Sequence, residues 1–160
     1  MKKRTLGNGQ AVSSIGLGCM GMNHAYGKPA PREDMVKLLH HAVDLGCTFF
    51  DTAVVYGEAN EELLGEAFSS MRDQVVLATK FGIVGQRIED GKPVNLLDSK
   101  PASVRQQVKI RCAVLNRPYR PVLPAQGRPS CGAGGCRGNH ERLDPGRQDF
   151  RVGLSNAPVN

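Results

Sequence analysis

The hydrophobic pattern along the first half of the chain switches between two periods. Residues 2–5 and 11–14 flank Gly7-Asn8-Gly9, a turn signal that predicts a β-hairpin. Ser14–Met20 (SIGLGCM) predicts a short buried strand, followed by the loop MNHAYGKPAP. A helix is predicted to start near Pro31–Asp34, with acidic residues at the positive end of its dipole. Met35, Leu38, Leu39, Ala42 and Val43 then recur at helical spacing as one apolar stripe, and Gly46 stops it. Thr48–Ala53 predicts a second strand. Glu61–Ser70 predicts a second helix, with Leu63, Leu64 and Phe68 on one side, and Val75–Lys80 a third strand.

Strand, helix, strand, helix, strand implies parallel pairing with right-handed crossovers. Two architectures compete, the doubly wound sheet and the eight-stranded β/α barrel. Gly16-Leu17-Gly18-Cys19-Met20-Gly21 fits the glycine pattern of a dinucleotide-binding turn, but that turn requires a helix opening directly from the glycines. Here the helix is predicted about ten residues later, beyond two prolines, and no acidic residue ends the next strand at the usual interval of about 20 residues. The glycines read better as making room at a crowded strand end. A barrel places its chemistry at the C-terminal ends of several strands, where Asp51 and Lys80 fall. The barrel is therefore favoured.

Charge divides the chain in two. The formal charge is +6, yet residues 1–108 carry twelve basic and twelve acidic groups. The whole excess lies in residues 109–151, with nine basic groups, eight of them arginine, against three acidic ones. That segment also holds five prolines and three of the five cysteines. No secretory signal or membrane-spanning run is legible, and the odd, irregular cysteines do not form a disulfide pattern. A reducing, cytoplasmic setting follows as the expectation. Cys131, Cys136 and His140 lack the paired spacing of a zinc site, even with Cys112 added, so no metal is expected. The arginines are accompanied only by Tyr119 and Phe150, too few aromatics for a nucleic-acid stacking set.

Asp51, Tyr56 and Lys80 carry the chemistry. An ammonium beside a phenol favours the phenolate, and a carboxylate would hold that ammonium in place. Tyrosine, lysine and aspartate at the same ends of adjacent strands thus form a proton-donor set. The plainer reading is an ion pair that stabilises the strand ends. His40 and His41 fall on the first helix, far from those ends; His24 lies in the loop after the first barrel strand, where a solvent-facing role is expected.

The stretches RTLGNGQAVSSIGLGCMGM, GCTFFDTAVVYG, NEELLGEAF and VVLATKFG together resemble the aldo-keto reductase family, in the family's order and approximate spacing. GLSNAPV at 153–159 is similar to its fifth-strand motif. The resemblance implies a partial (β/α)8 TIM barrel and reduction of carbonyl compounds with NADP(H). It implies Tyr56 as proton donor, Lys80 as the cation beside it and Asp51 as the partner of Lys80. It further implies Ser155 and Asn156 at the nicotinamide amide, and Gly21 and Met22 in the first loop beside the cofactor. Val54 stands where close relatives often carry a glutamate, without consequence for these roles. The implied partner is a small carbonyl substrate; neither specific nucleic acid nor membrane is expected.

The resemblance breaks in residues 109–151, where the fourth strand and its substrate-binding histidine should lie. Pro118, Pro121 and Pro124 come in succession, and proline lacks the N–H that a central strand donates. Back-translated with synonymous codons and read one base later from Asn116, the segment can encode TDHIDLYYQHRVDP and then VAVQEVAGAIMKDLTQGGKI. Read two bases later, residues 108–115 can encode EDSLRRLK. These restore the family's helix, fourth strand and following helix. The frame is therefore inferred to slip near Val108 and again near Leu115 and to recover before Gly153, with the lost histidine codon straddling Ala125 and Gln126. The expected organisation is a barrel portion over 1–108, a basic, largely irregular segment over 109–152 and a fifth-strand remnant over 153–160, truncated relative to a barrel of roughly 250 residues. Two rival readings remain open. One is a non-catalytic product whose basic tail binds nucleic acid or metal nonspecifically; the other is a sequence error in a gene for a full-length enzyme.

Overall fold

The computed structural model describes residues 1–7, 9–98 and 100–114. A hairpin of β1 (Lys3–Leu6) and β2 (Gln10–Ser13) opens the chain, paired antiparallel from Lys3 with Ser13 to Leu6 with Gln10. Its turn uses positive φ at Gly7 (47°) and Gly9 (92°), as the glycine signal requires. The hairpin docks at the base of the sheet through a reciprocal pair. The Ser13 amide donates to Thr48 Oγ1 (2.8 Å) and the Thr48 amide to Ser13 Oγ (2.9 Å).

The central sheet runs in the order β3 (Leu17–Gly18), β4 (Phe49–Asp51), β5 (Val76–Ala78), all parallel. These strands are shorter than the sequence pattern suggests, because regular pairing is confined to their middles. Gly16 shows why glycine stands before β3: a Cβ there would lie 2.6 Å from Phe49 Cδ1 and 3.2 Å from its carbonyl oxygen. The crossover helix α1 (Arg32–Asp44) begins well beyond Gly21, so the glycine pattern does not open a helix. It carries Glu33 and Asp34 in its first turn. Its end is closed by Gly46 at φ 88° and by the Cys47 amide reaching back to the Ala42 carbonyl (2.9 Å). Of the predicted stripe, Leu39 is fully buried, while Leu38 sits on the flank at 50% exposure. Helix α2 (Glu58–Ala67) starts three residues earlier than the pattern predicts, directly after Gly57 at φ 97°.

Both helices cover the same side of the sheet. The core between them is Leu39, Leu63, Leu64 and Phe68 against Phe50 and Leu77, with the Phe50 and Phe68 ring centroids 4.5 Å apart at 48°. The His40 ring and the Ala67 carbonyl are 2.7 Å apart, and Arg32 pairs with Glu66 (2.7 Å), so the two helices are also tied on their outer side.

Past the third strand the fold adds elements that the hydrophobic pattern did not reveal. β6 (Ile83–Glu89) and β7 (Lys92–Leu97) form an antiparallel hairpin with an irregularity at Ile83/Gly85, turning at Asp90 (φ 49°) and Gly91 (φ 74°). Helix α3 (Pro101–Val114) follows. It runs through Val108, so residues 109–114 of the segment expected to be irregular are helical. Residues 115–160, which include most of that segment and the fifth-strand motif, lie outside the described residues. The base of the second hairpin is clamped on both sides of Gly82. Its amide donates to Gln107 Oε1 (3.1 Å), and its carbonyl accepts from the Asp98 amide (2.8 Å).

Candidate active site

Asp51 is the last residue of β4, and Lys80 stands two residues past the end of β5. Because β4 and β5 are parallel neighbours with Asp51 opposite Ala78, the two side chains emerge at the same end of the sheet. The Lys80 ammonium donates to Asp51 Oδ1 in a direct ion pair, and also to the Thr52 carbonyl (2.9 Å). The two side chains are 26% and 27% exposed. The pair is therefore screened less than a surface one, yet open to an approaching group.

Tyr56 is not on a strand. It closes a 3-10 turn, Val54–Tyr56, that leads from β4 into α2. The turn faces the segment just past β5, with the Val54 amide directed at the Lys80 carbonyl (3.4 Å). It brings the phenol ring beneath the ammonium, with Lys80 Nζ 5.4 Å from the ring centroid. The three residues singled out in the sequence are thus one cluster. A fourth ring joins them: the His24 imidazole stacks on Tyr56, centroids 5.8 Å apart. The expectation that His24 faces solvent is corrected, since it is half-buried against the phenol.

Gly21 and Met22 lie in a 3-10 turn after β3. Gly21 is exposed, whereas the Met22 side chain is buried in the core cluster, leaving its backbone for any contact outside. Ser155 and Asn156 lie outside the described residues. No cluster of three or more metal-ligating side chains is present among the described residues.

Beneath the cluster are buried polar groups that the sequence pattern did not flag. Asn60 is fully buried. Its Nδ2 donates to the Cys19 carbonyl (2.9 Å) and to Asn23 Oδ1 (3.1 Å), and its Oδ1 accepts from the Thr52 hydroxyl (2.6 Å). Glu61, also fully buried, accepts from the Thr79 hydroxyl (2.9 Å). Both occupy the first turn of α2, so its early start carries them under the strand ends. One amide side chain thereby joins the ends of β3 and β4 to the loop bearing His24.

Cys19 is fully buried beside this network. Burial, reinforced by the Asp51 charge, raises its pKa from 9.0 to about 12. It is a structural thiol, and the sign of the effect fixes its linkage to stability. The contribution is complete below the unfolded value of 9.0 and is lost as pH rises toward about 12, because the unfolded chain ionises first. At pH 8, iodoacetamide is expected to leave Cys19 unlabelled in the folded chain and to label it in urea, as read by peptide mass mapping. Labelling at equal rates in both states would contradict the assignment.

The aldo/keto reductase family model matches residues 14–117. A probable aldo-keto reductase of Glycine max is 41% identical over 99 residues, covering 61% of this chain and 28% of that protein. Among solved structures, the holo form of an aldo-keto reductase from Bacillus halodurans superposes with a TM-score of 0.78 at 28% identity, covering 97% of this chain and 50% of that one. An aldo-keto reductase from Klebsiella pneumoniae in complex with NADPH gives 0.72 at 26% identity, covering 98% and 50%. The chain belongs to the aldo/keto reductase family, and its α/β fold is that of a partial TIM barrel. It spans half or less of the length of these relatives.

Proposed function

We propose that Asp51, Tyr56 and Lys80 form the proton-transfer part of an NADP(H)-dependent carbonyl reductase site. The observation that carries this reading is the placement of the Asp51-bound ammonium over the Tyr56 ring. A phenol so placed gives its proton to a carbonyl oxygen as that oxygen gains charge, and the ammonium stabilises the phenolate left behind. Asp51 keeps Lys80 oriented and offsets its charge before substrate arrives.

The residues present fit a nicotinamide. Gly21 offers exposed backbone, and Asp51, Lys80 and Tyr56 are partly open on one rim. When bound, NADPH supplies the hydride delivered to the carbonyl carbon. Gly21, the Met22 backbone and Asp51 would hold it from this side, with Ser155 and Asn156 assigned to the nicotinamide amide. The substrate is a small aldehyde or ketone.

The same reading extends to residues 109–151. In the present frame their sequence carries Pro118, Pro121 and Pro124 and no strand pattern ending in histidine, so the second donor to the carbonyl oxygen would be lost. The polypeptide as written is an aldo-keto reductase by descent that does not turn over. The family match ending at residue 117 supports a break in this region. The chain is expected to oxidise NADPH with a generic aldehyde at no more than background rate, followed at 340 nm. Robust turnover abolished by Tyr56→Phe would refute the inactivity while upholding the role of Tyr56. Turnover unaffected by Tyr56→Phe would refute the site. Sequencing the gene across codons 108–153 separates gene decay from sequence error.

A further inference from the structure

The loop between β3 and α1 brings to Tyr56 a side chain that carries its own titratable proton. The His24 and Tyr56 planes lie 26° apart, and both rings are half-buried. Three features hold His24 there. Its neighbour Asn23 is gripped through Oδ1 by the buried Asn60 amide (3.1 Å). The His24 amide donates to the Met20 carbonyl (2.9 Å). The His24 carbonyl accepts from the Tyr26 amide (3.1 Å), closing a three-residue turn about Ala25, whose φ is +72°. Alanine rarely adopts that region, and such conformations persist only where the surroundings impose them, most often at functional sites. The backbone is thus bent against its own preference in the turn that sets the imidazole on the phenol.

We propose that His24 is a positioning residue of the Tyr56 site, whose imidazole fixes the phenol ring and, by gaining or losing its proton, sets the charge beside it. This rests on the reading of Tyr56 as proton donor. Lys80 is already a cation near the ring (5.4 Å from its centroid), and Asp51 pairs with it. Imidazolium formation makes a second cation there and steadies negative charge on the phenol oxygen; the neutral ring leaves only the stack. The other ionisable groups on elements packed around Tyr56 are Glu58, Glu61, Glu62 and Glu66 on α2, the last paired with Arg32 (2.7 Å), Cys19 just past β3, Tyr26 and Lys28 in the His24 loop, and Arg87 and Glu89 on β6, which pair with each other (2.6 Å). Cys19 is held as a thiol.

The test uses the full chain with 13C at tyrosine Cζ, the Tyr56 line being assigned by its loss in Tyr56→Phe. Across a pH titration of the folded chain, the Tyr56 line is expected to move through one step that reports the imidazole gaining its proton. His24→Phe keeps a stacked ring without a titratable group and is expected to abolish the step while amide dispersion is retained. His24→Gln is expected to abolish it too, and decides the matter if the phenylalanine variant does not fold. His41→Gln on the exposed face of α1 leaves the step intact. A flat Tyr56 line in the parent chain, or a step that survives in both His24 variants, overturns the proposal. Carbonyl turnover plays no part in this readout, so failure of the reductase reading and failure of the His24 role are told apart.

Discussion

Phe50→Ala is expected to destabilise the fold by about 3–5 kcal/mol, the range for truncating a fully buried phenylalanine. Phe50 is the central residue of β4, is fully buried, and packs its ring on Phe68. It stands where the middle strand meets both helices, so the cavity left behind cannot be filled by one neighbour moving. Domains of this size have about 5–15 kcal/mol in total, and the loss is a large part of it. Urea denaturation followed by far-ultraviolet circular dichroism should show a much lower midpoint, or no folded baseline at all. Phe50→Leu, which retains most of the volume, should lose distinctly less. A loss below about 1 kcal/mol for the alanine variant, where a core truncation costs several times that, would mean that the β4 core is not the centre of stability.

The second large effect is expected at Asn60. Replacing it with leucine keeps the approximate volume and removes three hydrogen bonds. The Cys19 carbonyl retains the Met22 amide (3.1 Å), and Asn23 is half-buried, within reach of water. Thr52 is different. It is fully buried and gives its hydroxyl proton to Asn60 Oδ1, so its donor is left without that acceptor. A buried polar group stripped of its partner costs about 1–3 kcal/mol, and about 2 kcal/mol is expected for Asn60→Leu. Thr52→Val added to Asn60→Leu removes the stranded hydroxyl and should recover part of that loss, giving a coupling of about 1 kcal/mol in a double-mutant cycle. Strict additivity in urea unfolding would show that the pair is not coupled. The same variant releases the loop that carries His24, so the Tyr56 environment should loosen along with stability.

The parts of the fold legible in the sequence are those written in repeated spacing. The stripe from Met35 to Val43 and the run from Val75 to Lys80 announce a helix and a strand, because burial on one face leaves a periodic trace. Asp51 and Lys80 were legible for the same reason: one closes a strand and the other stands just past the end of its neighbour, and parallel strands bring their ends together. The hairpin from Ile83 to Leu97 was not read, although Asp90-Gly91 gave a turn signal between its strands. Its exposed faces, with Val84 at 52% and Ile88 at 71%, lack the alternation that marks a half-buried strand. Asn60 and Glu61 leave no trace of burial in composition or period; they look like any polar first turn, and only the early start of α2 places them inside. His24 could not be assigned because its position depends on Ala25 taking a left-handed conformation that the residue type argues against.

The clamp at Gly82 uncouples the root of the second hairpin from its tip. Both its amide and its carbonyl are tied to residues that lie beyond the hairpin, so the backbone beside Lys80 is set by Gln107 and Asp98 rather than by the excursion between them. The two ends of the hairpin are therefore held together independently of its tip. A change of length at Asp90-Gly91 would alter what reaches the rim before it moved the ammonium.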